Sequence, residues 1–227
     1  MGAFWLLQGL GFLAGFLYAF LVAIHFRLPR LRSVCVGIAS FASAAVLYAV
    51  FWECFPEPYD GRNIYLVMAV FPLILCLVSG IFRLPILQMS EISSPMLLLW
   101  FVFDRIGCQR IGRCASKIRV DWGFSRPGAQ EPLFPLQLAE AAAILLIAVF
   151  LIIRVWRSGK DSLKSTIAWE LILLGTVQFA SSFLRDAPNL VFCFSEVTVW
   201  ALFLVAEGLT WLAARVAFQR LKLILQG

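Results

Sequence analysis

The sequence predicts an all-α integral membrane protein of about seven transmembrane helices, with its N-terminus outside and its C-terminus in the cytoplasm. Three observations carry that prediction. Of 227 residues, 62% are apolar and 14% charged, with a mean hydropathy of +0.89; soluble domains run at roughly 45–50% apolar and about 25% charged. The apolar residues gather into runs close to the ~20 residues that cross a bilayer core. The cations collect in alternate connections between those runs. A globule of this size has too little interior to hide so much apolar surface, which excludes a soluble enzyme, a disordered chain and a nucleic-acid binder. The net charge of +6 and pI near 9.2 read instead as orientation and attraction to anionic lipid.

Taken in order, the spans are Phe4–Ile24, Val34–Glu53, Ile64–Phe82, Ser94–Phe103 with its flanks, Leu133–Ile153, Thr166–Leu184 and Val191–Phe218. The first lacks a preceding basic region and is long enough to cross, so it reads as a retained helix and not a cleaved signal. Its Gly11 and Gly15, four residues apart, suit a close helix contact. The fourth is the weakest, because its apolar core is short and ends at Asp104–Arg105. Trp52, Trp156 and Trp169 fall near span ends, where interfacial anchors belong. With no repeat, low-complexity tract or soluble insertion, residues 1–227 read as a single polytopic domain, a bundle with short loops. The six cysteines are scattered without a CxxC pair, so neither a zinc site nor a disulfide framework is indicated.

Loop charge sets the orientation. Arg27, Arg30, Arg32, Arg83, Arg154, Arg157, Lys160, Lys164, Arg215, Arg220 and Lys222 make eleven cations on one side, which is therefore the cytoplasmic side. The exception is the segment carrying Arg105, Arg110, Arg113, Lys117, Arg119 and Arg126, six cations on the outer side with Asp104 and Asp121 nearby. Cations at membrane depth mark functional cavities, and an anionic lipid headgroup is a natural partner, since arginine matches phosphate oxygens with a forked donor. The alternative is an ordinary cytoplasmic basic loop after a misplaced fourth span. His25 ends the first span on the opposite side and reads as a snorkelling imidazole. Glu170 and Glu196 lie near span ends and read as wet, whereas Glu207 is deeper and reads as the candidate for a buried pair.

Leu98–Lys117, LLWFVFDRIGCQRIGRCASK, resembles the signature region of the prolipoprotein diacylglyceryl transferases, where a helix ends in Arg-x-Gly followed by Asn or Cys and then a Gly-containing turn. Arg105, Gly107, Cys108 and Gly112 carry the match. Phe134–Ala141, FPLQLAEA, is similar to that family's His-Pro-Ser-Gln-Leu-Tyr-Glu-Ala segment through Pro135, Gln137, Leu138, Glu140 and Ala141. Leu173–Asp186 resembles its penultimate helix through Phe183, Leu184 and Arg185. The resemblance implies transfer of the diacylglyceryl group of phosphatidylglycerol to the lipobox cysteine of a lipoprotein precursor, in the bacterial inner membrane, without metal or dissociable cofactor.

On that resemblance Arg105 contacts the phosphate, Gly107, Cys108 and Gly112 shape the turn, and Arg113 adds charge. Gln137 and Glu140 face the cavity, Glu140 orienting an arginine or acting as base, and Arg185 is a second cation at the rim. Departures are visible too. The family's His-Gly-Gly segment has no counterpart, its Tyr-Glu is Ala139–Glu140, its Gly-Glu is Gly112–Arg113, and Gln178–Phe179 and Ser182 replace its Arg-Phe and Glu. These departures point to the alternative of a catalytically impaired paralogue that binds anionic lipid or a signal peptide without turnover. A transporter is the third possibility, disfavoured by the lack of paired interrupted helices.

Overall fold

A computed structural model of the chain describes residues 2–27, 29–54, 62–84, 86–111, 116–124, 132–157, 165–185, 190–191 and 194–226. Among them lie seven α-helices: α1 (Gly2–His25), α2 (Arg30–Cys54), α3 (Arg62–Ile81), α4 (Ile86–Ile111), α5 (Leu136–Trp156), α6 (Thr166–Ser182) and α7 (Glu196–Gln226). Between α4 and α5 runs one strand, β1 (Arg119–Phe124). Between α6 and α7 sits a small antiparallel pair, β2 (Leu190–Val191) and β3 (Phe194–Ser195). Gly2–His25, Leu136–Trp156 and Val197–Phe218 are long and apolar enough to cross a membrane, and Met68–Ile81 is a shorter apolar stretch.

The burial pattern is that of a protein solvated by lipid. On α1, Leu6, Leu10, Leu13, Leu17 and Leu21 form an exposed stripe at helical spacing, while Gly11, Gly15, Tyr18 and Val22 turn inward. Large apolar residues on the outside and small residues at helix contacts are what the bilayer favours, because leucine gains nothing by leaving hydrocarbon and close backbone approach gains dispersion. α1 runs antiparallel to α4 in steady register. A Cβ on Gly15 would meet Met96, one on Gly11 would meet Trp100, and one on Gly107 would meet Phe4. α6 and α7 close on each other the same way: a Cβ on Gly175 would come within 2.8 Å of the Ala201 carbonyl oxygen, and one on Gly208 within 2.8 Å of that of Ala168.

The fourth helix differs most from its expectation. It spans 26 residues instead of the short Ser94–Phe103 core. It is surrounded by α1, α2, α3, α5 and α6, with Leu97, Leu98 and Phe101 buried. A helix enclosed by protein has no need of apolar flanks, because its polar side chains find partners on neighbouring helices. The last span also changes. β2 and β3 precede it, and α7 continues to Gln226, so Arg215, Arg220 and Lys222 belong to the helix and not to a tail.

Arg27 and Arg83 sit at positive φ, 48° and 51°, just after α1 and α3. Arg83 donates to the Gly80 carbonyl at 3.2 Å and Leu84 to that of Ser79 at 2.9 Å, a left-handed helix stop usually given to glycine. Arginine occupies both positions against its backbone preference.

Candidate functional site

The three segments that carry the family resemblance meet at one end of the bundle. Arg105 projects from the last two turns of α4, Glu140 from the second turn of α5, and Arg185 follows the C-terminus of α6. Each of them is 5% exposed or less. Arg185 donates through Nε at 3.2 Å and Nη2 at 2.5 Å to Glu140 Oε1. Glu140 Oε2 lies 3.5 Å from Arg105 Nη1. One carboxylate thus holds two guanidinium groups, one per oxygen.

The cluster continues in both directions. Arg105 Nη2 is 3.5 Å from Asp104 Oδ2, and Gln8 of α1 donates to Asp104 Oδ1 at 2.7 Å. The Arg105 guanidinium carbon also sits 4.5 Å above the Phe101 ring, a cation–π contact one turn back on the same helix. On the other side Arg185 Nη2 donates to Gln178 Oε1 at 3.2 Å. Among the described residues two guanidiniums therefore stand against two carboxylates, a balance that a buried ionic cluster needs if no ion is to be left uncompensated.

Gln137 is buried one turn before Glu140 on the same face of α5. Gly107 and Cys108 are not in a turn: both lie within α4, Gly107 where Phe4 crosses and Cys108 with its sulfur 3.9 Å from Asp104 Oδ2. Gly112 and Arg113, with Cys114, lie outside the described residues. Among the described residues, the cations expected on the outer side do not gather as one group. Arg105 turns into the bundle, whereas Arg110, Lys117 and Arg119 are exposed.

Sequence reasoning passed over Gln8, Asp104 and Gln178 as site residues. Gln8 had a signal, being a lone amide within an otherwise apolar first span. Asp104 looked like the polar end of a weak helix, and only the crossing of α1 over α4 makes it a bridge between Gln8 and Arg105.

His25 lies at the other end of the bundle. Its ring is 4.4 Å from that of Trp156 at the end of α5, and Arg154 lies 5.6 Å over Trp169 nearby. Of the three glutamates, Glu170 departs from its expectation, and the side chain of Glu196 lies outside the described residues. Glu170 is buried and bonded by the Ser94 hydroxyl across to α4; Glu207 is only partly buried. The reason is positional, since the start of α6 is wrapped by α4 and α7 while α7 faces outward along much of its length.

Among the described residues no group of three or more His, Cys, Asp or Glu side chains is placed to hold a metal ion. Set against known proteins, the chain matches no family model and no curated protein. The site is thus defined by its own geometry: forked cationic donors, oriented by a shared carboxylate, at the end of a membrane-type bundle.

Proposed function

We propose that this protein transfers the diacylglyceryl group of phosphatidylglycerol to the lipobox cysteine of a lipoprotein precursor. The single observation that carries the reading is the meeting of Arg105, Glu140 and Arg185. Three stretches separated in sequence, each resembling a different motif of one family, bring their charged residues into one ion-paired cluster. In this reading all seven helices span a bacterial inner membrane, N-terminus out and C-terminus in, and the cluster faces the outer leaflet.

The chemistry fits the residue types. The cysteine thiol gives up its proton to water, its sulfur forms a C–S bond to the glyceryl carbon while the C–O bond to phosphate breaks, and glycerol phosphate leaves with the electron pair and is free to take up a proton from solvent. Guanidinium groups oriented in advance stabilise the charge that gathers on the departing phosphate. Glu140 acts by orienting those guanidiniums, since its two carboxylate oxygens each face one of them.

A second reading, binding of anionic lipid or a signal peptide without turnover, is favoured by one observation. Arg105 is 1% exposed and already ion-paired to both Asp104 and Glu140, so a phosphate reaches it only by displacing a carboxylate. Purified protein incubated with phosphatidylglycerol and a lipobox peptide separates the two. The transferase yields thioether-linked peptide and glycerol phosphate, and Arg185→Ala loses both products. Folded protein that retains phosphatidylglycerol yet forms neither product establishes the second reading.

A further inference from the structure

Asp104 and Gln8 take no part in the reaction outlined above, yet they stand beside a guanidinium that is to meet phosphate. Their placement is fixed by the crossing of α1 over α4. A Cβ on Gly11 would lie 3.1 Å from the Phe103 side chain, and one on Gly107 would lie 2.7 Å from that of Phe4. Gln8 is one turn from both Phe4 and Gly11 along the same face of α1, so it falls opposite Asp104. Its Nε2 donates to Asp104 Oδ1 at 2.7 Å.

The two carboxylates that face Arg105 are not held alike. Each approaches a different nitrogen of the guanidinium at 3.5 Å, longer than a well-formed N–H···O bond. Glu140 is also fastened by Arg185, through two donors to one oxygen, and cannot move away without stranding that cation. Asp104 takes its short bond from a neutral amide on another helix, with a weaker contact to the Cys108 thiol at 3.9 Å. Neighbours in sequence on a helix do not face each other, so Asp104 meets Arg105 only sideways. When Arg105 turns to another anion, Asp104 keeps its bond to Gln8, while Arg105 keeps Glu140 and the Phe101 ring.

We propose that Asp104 is a built-in competitor for phosphate at Arg105, and that Gln8 sets how strongly it competes. The proposal rests on the reading of the cluster as a phosphate site, with or without turnover. A phosphate that takes over Nη2 stands within a few ångströms of the Asp104 carboxylate, and like charges that close in a buried site repel strongly. Gln8 moderates the contest. By bonding Oδ1 it satisfies Asp104 on the side away from Arg105, so the carboxylate gives up the guanidinium without being left bare.

The test is equilibrium binding of phosphatidylglycerol, and separately of soluble glycerol phosphate, to the full-length protein in neutral detergent micelles. Diacylglycerol serves as the phosphate-free reference. Asp104→Asn keeps an oxygen that Gln8 can bond and removes the charge, so it should bind phosphatidylglycerol at least about tenfold more tightly. Gln8→Leu leaves Asp104 to satisfy itself on Arg105 and should weaken binding. Diacylglycerol binding should not change. Opposite shifts in the two variants are the signature, because damage to the packing of the cluster weakens both. A matching pair of shifts for glycerol phosphate assigns the site to the phosphate ester itself, and their absence assigns it to the lipid headgroup; either supports the proposal. Unchanged or weaker binding in Asp104→Asn, or unchanged or tighter binding in Gln8→Leu, overturns it. So does equal movement of diacylglycerol, or no binding of a phosphate ligand by any of the three proteins. Where Asp104→Asn loses its helical circular dichroism, the direction of the Gln8→Leu shift decides alone. The thioether assay on the same proteins separates this proposal from the transferase reading: opposite shifts without product uphold the competitor and refute the transferase, and product without those shifts does the reverse.

Discussion

Replacing Glu140 with leucine should destabilise the protein severely, and pairing that change with Arg185→Leu should recover much of the loss. The balance of the cluster sets the size of the effect. Arg105 and Arg185 are opposed by Asp104 and Glu140, all buried. Glu140→Leu removes one of the two described carboxylates that oppose two guanidiniums; breaking one side of a buried pair costs about 3–5 kcal/mol. Arg185→Leu leaves the opposite imbalance and should cost a similar amount. Together the changes remove one charge of each sign and leave Arg105 with Asp104, so the double variant should fall short of the sum by up to about 3 kcal/mol, the coupling expected of groups in direct contact. Equilibrium unfolding of all four proteins in mixed micelles measures this cycle. If the single Glu140→Leu variant loses under about 1 kcal/mol, or the double loses as much as the two singles added, the cluster is not the buried charge pair described above.

Two further outcomes follow from backbone geometry. Gly175→Ala and Gly208→Ala should each cost about 1–3 kcal/mol, since the new methyl group meets the backbone of the facing helix. Gly9→Ala, with nothing within 4 Å of the added atom, should be neutral or stabilise by up to about 1 kcal/mol through helix propensity; the same unfolding assay ranks all three. Arg83→Gly should raise stability by about 1 kcal/mol by relieving the left-handed backbone, whereas Arg83→Ala, which keeps the Cβ, should give no such gain. A matching gain in the alanine variant would trace the effect to lost charge and not to φ.

Legibility in the sequence depended on whether a residue answers to lipid or to another helix. The first and fifth spans were readable because Leu6 through Leu21 and Ala141 through Ile153 run with almost no polar interruption. Gly11 and Gly15 announced a close contact by spacing alone, and the contact is there. α4 was foreshortened because Ser94, Asp104 and Arg105 look like the edges of a span when counted as residues. They become interior only once Glu170, Gln8 and Glu140 stand opposite them. Glu170 was read as wet for the same reason: distance from a span end says nothing of which helix lies across the way.

Composition and periodicity were therefore enough to determine the solvent. A chain this apolar, with leucines at helical intervals, belongs in a bilayer wherever its polar residues end up, because transfer of apolar surface is additive along the chain and needs no knowledge of neighbours. The order of the motifs also named Arg105, Glu140 and Arg185 before any geometry was known. Only the tertiary structure decided that these charges neutralise one another, that Gln8 and Asp104 join them, and that Gly107 and Cys108 remain helical. Ion pairing falls off within a few ångströms, so the partner of a buried charge is set by how the helices cross, and that crossing is written nowhere along the chain.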